Sequence, residues 1–478
     1  MSDSPTPTPP IVVIPAGAPF DREDADVVLQ SCDGVQFLVH RLVLSLSSPV
    51  LAALFEIGTS NHPEDQFTPT GLLVVPVEET GRVLSSLLYW VYPVTKPPLE
   101  AIEEVADALE AAIKYQIGAV VDFMTVRLRA FAVTLPLRVF GIACRLDLEE
   151  EAKFAAQKYR ADARRRTPNH YHSDMASIPA GAYFRLSWYS THGPIVPPPS
   201  FNFIHRNRND GIALSESTED VIEGNAFLSS EKWNQDTQSI FENNPFDLVI
   251  CSSEAGRFIA HRLVVSVMSS ALGTEIGKLA EGNPILNLSE SSFIIYSLLR
   301  SYYGFPLFAE FPASQPDDFC PLIRVVQAAR KYGMARIESQ ALALLKEVMQ
   351  AKPVRAYCVA IALGWRTEAT SAARAVIASK VNLAEAYVAE MEHVPAVAFY
   401  TLLTSSDNVA AKVKQITSRF GANRMLLSNR YPATVGPEQT VMVAGMGKWF
   451  HAENLASETQ EMEAALRRVI LEVSLPEP

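Results

Sequence analysis

Cysteine is scarce in this chain of 478 residues: Cys32, Cys144, Cys251, Cys320 and Cys358 are the only five. Their number is odd and no two stand in C-x-x-C spacing, so neither a disulfide frame nor a thiolate zinc site is predicted. Free thiols of a reducing intracellular compartment, cytoplasmic or nuclear, are expected instead. Long apolar runs are missing too. Without a stretch of about 18 apolar residues, no membrane span is expected. The opening MSDSPTPTPP has no basic start and no apolar core, and does not read as a signal peptide. Basic charge is in deficit, 41 Lys and Arg against 53 Asp and Glu, for a net charge of −12. That balance argues against a general nucleic-acid surface. G-x-S-x-G, H-E-x-x-H and G-x-G-x-x-G are all absent, and Gly445-Met446-Gly447-Lys448 lacks the spacing of a phosphate-binding loop. With no nucleophile, base, metal set or cofactor motif to name, no catalysis and no cofactor are expected.

What the chain does have is a repeat. DVVLQSCDGVQFLVHRLVLS, from Asp26, returns as DLVICSSEAGRFIAHRLVVS, from Asp247. Phe37 falls on Phe258, His40 on His261, Arg41 on Arg262 and Leu42 on Leu263, all at an offset of 221. Lys114-Tyr115 reappears as Lys331-Tyr332, and Arg138 as Arg355. Farther on, Ile178-Pro179-Ala180-Gly181-Ala182-Tyr183-Phe184-Arg185-Leu186 aligns with Val394-Pro395-Ala396-Val397-Ala398-Phe399-Tyr400-Thr401-Leu402. Hydrophobic residues make up 48% of the chain, enough for more than one core.

Local patterns predict the elements of each copy. Asp26–Leu29 and Val35–Val39 are β-prone and joined by Asp33-Gly34, a favoured pair for a tight hairpin. From His40 to Phe55 helix follows, with Leu42, Leu46, Val50 and Phe55 at helical spacing, and Ser47-Ser48-Pro49 suits a helix start. Residues 58–71 read as a loop, Leu72–Val77 as a strand, and Thr80 to Tyr92 as a helix. Leu99–Ile117 forms an amphipathic helix with Ile102, Val105, Leu109 and Ala112 on one face. Helices over 119–133 and 136–162 complete the first copy. The second repeats the plan at Pro284–Leu288, Phe293–Tyr303, Phe319–Tyr332 and Val354–Ile361, and a helix is expected at Glu458–Val473.

Asp26, Val27, Val28, Phe37, Val39, His40, Arg41, Val43, Leu44, Ser45, Ser48, Pro49, Val50 and Phe55 form a string that resembles the BTB/POZ domain. Its form is similar to that of the BTB proteins abundant in mushroom-forming fungi. The resemblance implies a helix-rich α+β fold: two tandem BTB/POZ-like domains, each a small sheet with flanking helices, each followed by BACK/3-box-like helices. The implied layout is a Pro/Thr-rich disordered tail at 1–19, domain one at 20–118, rear helices at 119–195, a linker at 196–243, domain two at 244–335, rear helices at 336–420 and a tail at 421–478. Copy two departs from the pattern at Ser270, where copy one has Pro49, and at Ile276, where it has Phe55. That part is expected to pack differently.

The resemblance implies protein–protein association rather than catalysis. Asp26 with Arg41, and Asp247 with Arg262, are candidate charge pairs at a pairing surface; the alternative is that each Asp caps a turn and each Arg is solvated. His40 and His261 sit at the strand-to-helix junction, where a partly buried histidine satisfying backbone groups is expected rather than a metal ligand. Leu279-Ala280-Glu281 stands where cullin-binding members carry a hydrophobic-x-Glu triplet; Leu279 and Glu281 are therefore candidate contacts. Arg164-Arg165-Arg166, with His170, His172, Arg206 and Arg208, interleaves with Tyr171, Tyr183, Phe184, Trp188 and Tyr189. That arrangement suits an acidic partner or nucleic acid, but a solvated helix end is the reading the acidic chain favours. The leading expectation is a non-catalytic adaptor whose two units pair within the chain or form a homodimer. A substrate receptor for a cullin-type ubiquitin ligase and a transcription-associated co-regulator are the alternatives. Protein partners are expected, a membrane is not, and nucleic acid is disfavoured.

Overall fold

The computed structural model describes residues 14–57, 66–161, 171–193, 201–204, 226–279, 284–305, 319–379, 381–407, 440–443 and 448–451. These divide into two compact units. The first holds 14–57, 66–161 and 202–204; the second holds 171–193, residue 201 and the described residues from 226 onward.

In the first unit β1 (Ile14–Pro15) pairs in parallel with β3 (Val35–Val39), which runs antiparallel to β2 (Val27–Gln30). β5 (Leu73–Pro76) is parallel to β2, and β4 (Gln66–Phe67) closes the edge, so the sheet order is β1-β3-β2-β5-β4. The Asp33-Gly34 hairpin forms as expected, with Gly34 at φ 86°, a left-handed conformation that glycine adopts without steric cost. Around the sheet lie α1 (Arg41–Ser47), α2 (Pro49–Ile57), α3 (Gly81–Val91), α4 (Ile102–Lys114), α5 (Gly118–Phe131), α6 (Pro136–Arg145) and α7 (Glu149–Ala161). α2 begins at Pro49 with the Ser48 hydroxyl taking the Leu51 amide, as the Ser-Pro pair predicts.

Four expectations need correction here. Residues 14–19 are not a loose tail: β1 lies on the sheet and Phe20 is buried just beyond it. The helix expected over 136–162 is two helices, broken where Asp147 adopts φ 59°. Leu42 and Leu46 share no buried face with Phe55. They point to solvent, because α1 ends at Ser47 and the core positions are Leu44, Leu51 and Phe55. The stretch 196–243 is not simply a linker, since α9 (Ala226–Asp236) and α10 (Gln238–Asn243) occupy its end. Its Trp233 is fully buried and donates its indole N–H to the Ile259 carbonyl, 2.8 Å away.

The second unit has a three-stranded sheet, β7 (Arg257–Ala260), β6 (Leu248–Cys251) and β8 (Ile285–Asn287), in that order. The β6–β7 pair is antiparallel and the β6–β8 pair parallel, matching β2–β3 and β2–β5. α11 (Arg262–Met268), α12 (Ser270–Gly277), α13 (Ser292–Tyr302) and α14 (Cys320–Lys331) follow in the order of α1 to α4. The Ser270 and Ile276 substitutions leave the packing alike: α12 starts one residue after a capping serine, and Ile276 is buried as Phe55 is. Behind them come α15 (Ala335–Val348), α16 (Pro353–Ala362) and α17 (Arg366–Ser379), with a further helix, α18, over 396–407. α8 (Ala180–His192), although first in the chain, belongs to this second unit. The helix expected at Glu458–Val473 lies outside the described residues.

Candidate protein-interaction surface

Each sheet hands the chain to its next helix through one set of bonds, made twice. The Asp26 carboxylate accepts the backbone N–H of Arg41 at 2.7 Å, and Asp247 accepts that of Arg262 at 2.7 Å. An aspartate one residue ahead of β2 or β6 thus satisfies an amide that the first turn of α1 or α11 leaves unpaired. The expected charge pairs are not what forms. The carboxylates hold main chain rather than guanidinium, and Arg262 instead donates its Nε–H to the Asp247 carbonyl at 3.1 Å. His40 and His261 donate their backbone N–H to the hydroxyls of Tyr92 and Tyr303, at 2.7 and 2.8 Å. The two imidazoles approach the same hydroxyls, with Nδ1 at 3.3 and 3.0 Å. Burial raises the Tyr92 hydroxyl above its usual range and pushes that of Tyr303 up to about 12, so both stay neutral. The histidines therefore serve the junction, and no group of three metal-ligating side chains occurs among the described residues.

A second pair of bonds locks the helical hairpin to the long amphipathic helix. The buried Ser48 hydroxyl donates to the Tyr115 carbonyl at 2.5 Å, and the Ser269 hydroxyl to that of Tyr332 at 2.6 Å. Glu79 takes the Lys114 ammonium at 2.7 Å together with the Tyr115 hydroxyl; Glu290 takes Lys331 at 2.6 Å and the Tyr332 hydroxyl. Burial alone would raise both carboxyls. Their lysine and tyrosine donors outweigh it and hold them below the ordinary value. The Lys-Tyr pairs are legible in the sequence as a repeat, whereas their acidic partners are not among its candidate residues. Glu79 and Glu290 sit just ahead of a helix in each copy, and that shared place was the available signal.

What this frame presents outward is apolar. Leu42 and Leu46 on α1 are 69% and 80% exposed; Leu263 and Val267, at the same positions on α11, are 74% and 75% exposed. Four residues apart on a helix, each pair lies on one face. The other candidates fare differently. Leu279 is half-buried and packs against the second core rather than facing solvent, and Glu281 lies outside the described residues. In the aromatic stretch, Tyr183, Phe184 and Tyr189 are buried and unavailable for base stacking. Arg164–Arg166, His170, Arg206 and Arg208 lie outside the described residues.

The family model of the BTB/POZ domain matches residues 19–131. The chain thus carries a BTB/POZ domain in its first unit, a module that mediates protein–protein interaction and dimerisation, and this implies an adaptor role. No curated protein matches the chain.

Proposed function

We propose that the chain is a non-catalytic adaptor that uses two BTB-type modules in tandem, the second being residues 244–335. The observation that carries this reading is the pair of exposed apolar faces, Leu42/Leu46 and Leu263/Val267, each mounted on the same buried frame. Two large aliphatic side chains kept in water gain about 1.5–3 kcal/mol each when fully covered, which suits a protein partner's apolar helix face. Two such faces in one chain make a bridge between partners rather than a single receptor. Duplicated faces also favour like-with-like pairing, and covalent linkage raises the modules' effective concentration for each other. The test is affinity capture with mass spectrometry on the intact chain and on Leu42→Glu/Leu46→Glu and Leu263→Glu/Val267→Glu variants. Each double variant is expected to keep its circular dichroism spectrum and lose its own set of partners. Identical partner sets from all three proteins would end this reading.

A further inference from the structure

The sequence alignment of 178–186 with 394–402 has a counterpart in space. Within the second unit the two segments run against each other, bridged at Pro179 and Pro395. The Ala180 N–H donates to the Val394 carbonyl at 2.6 Å, and the Ala396 N–H to the Ile178 carbonyl at 2.8 Å. Under the offset of 216 that aligns the copies, these two bonds exchange. So do the ring contacts: Tyr171 with Tyr400 at 4.7 Å becomes Tyr387 with Phe184 at 5.5 Å. Tyr183 with Tyr400 at 6.3 Å becomes Phe399 with Phe184 at 6.1 Å, and Tyr183 with Phe399 maps onto itself. A set of contacts that exchanges in this way is the signature of a two-fold, self-complementary interface. Here it joins two different parts of one chain.

One contact breaks the symmetry. The buried Arg185 guanidinium pairs with Glu392, which also accepts the Tyr387 hydroxyl. The positions that the offset relates to these are Thr401 and Ala176. Gly181 makes room for the pair, because a Cβ there would run into the Glu392 carboxylate, and the second copy has Val397 at that position.

We propose that residues 171–193 are a clasp: the end of the first repeat completes the core of the second, and the Arg185–Glu392 pair decides which segment may fill that place. A symmetric surface can in principle pair with itself. If 394–402 paired with a second copy of 394–402, Glu392 would meet Thr401. If 178–186 paired with a second 178–186, Arg185 would meet Ala176. Either self-pairing breaks the Arg185–Glu392 contact, a costly loss for a buried pair, and only the mixed pairing keeps it. The charge pair thus acts as an element against self-pairing. It selects the first repeat as occupant of the second repeat's surface.

The inference rests on the duplication, not on what the modules bind, and its test is separable from partner capture. A specific protease site is inserted between Asp210 and Ser217 of the intact chain, the purified protein is cleaved, and the products are run on size-exclusion chromatography with light scattering. The expected result is that both fragments co-elute as one 1:1 particle. Gly181→Val is expected to weaken that association by on the order of a hundredfold or more, the scale of breaking a buried ion pair. Arg185→Ala reads the same contact without added bulk should the valine variant not fold. Val126→Ser, at an exposed site on α5 away from every proposed contact, is expected to leave co-elution unchanged. Fragments that separate while each stays folded would overturn the clasp, as would co-elution indifferent to both Gly181→Val and Arg185→Ala. A homodimer of either fragment that persists with its Leu42→Glu/Leu46→Glu or Leu263→Glu/Val267→Glu face blocked would overturn the selection by charge.

Discussion

Removing one hydroxyl, that of Ser48, is expected to cost about 2–4 kcal/mol of folding free energy. Ser48 is fully buried, donates to the Tyr115 carbonyl at 2.5 Å and accepts from the Leu51 N–H at 3.0 Å. Ser48→Ala removes a helix cap, worth typically about 1 kcal/mol. It also orphans a buried carbonyl, at about 1–3 kcal/mol. The void left by one oxygen is too small to take a bridging water, so nothing from solvent offsets the loss. Ser269 has the same surroundings, with 2.6 Å to the Tyr332 carbonyl and 3.1 Å from the Leu272 N–H, so Ser269→Ala should cost a similar amount. Domain stability is about 5–15 kcal/mol, which makes either change plain in urea unfolding followed by circular dichroism. A loss below about 0.5 kcal/mol for Ser48→Ala, or a large loss at one serine and none at the other, would refute the claim that the duplicated bonds carry equal structural weight.

Further outcomes are expected from the same contacts. The Glu79 carboxyl is held below its ordinary value, so its contribution is fully present above about pH 4.5 and is lost as pH falls through the folded value. Wild-type protein should therefore lose stability below about pH 4.5 more steeply than Glu79→Gln, which thermal melts across an acid series would show or contradict. Trp233→Phe keeps the ring contacts with Tyr296 and Tyr303 but drops the bond to the Ile259 carbonyl; a loss of about 1 kcal/mol in denaturant unfolding is expected. Phe55→Ala and Ile276→Ala should each cost about 2–5 kcal/mol, as buried truncations do. Leu42→Glu, on an exposed site, should stay within about 0.5 kcal/mol of wild type. A large loss there in the same unfolding assay would mean that the α1 face is covered.

Much of the molecule follows from short-range rules acting on the sequence itself. Asp33-Gly34 makes its hairpin because the turn needs a left-handed residue, and Ser48-Pro49 starts α2 because one supplies an acceptor and the other a preset φ. Ile102, Val105, Leu109 and Ala112 face inward because a period of 3.6 puts them on one stripe. The repeat, read as an offset, announced that whatever one unit does locally the other does too, and the matching bonds at Asp26 and Asp247 agree. Other features depend on partners far along the chain. Leu42 and Leu46 satisfy helical spacing as well as Leu44 does, and only the docking of α1 on its neighbours decides which side meets water. The family resemblance suggests Asp26 and Arg41 as an ion pair, yet the Asp26 carboxylate takes the Arg41 amide at the helix start. Trp233 sits in a stretch of low regularity that gains its helix by packing on β7. The segment 171–193 carries the sequence of the first repeat, but tertiary structure places it in the body of the second. Local propensity reaches only a few residues, whereas the burial of Tyr183 against Phe399, and of Arg185 beside Glu392, is settled by groups some two hundred positions away.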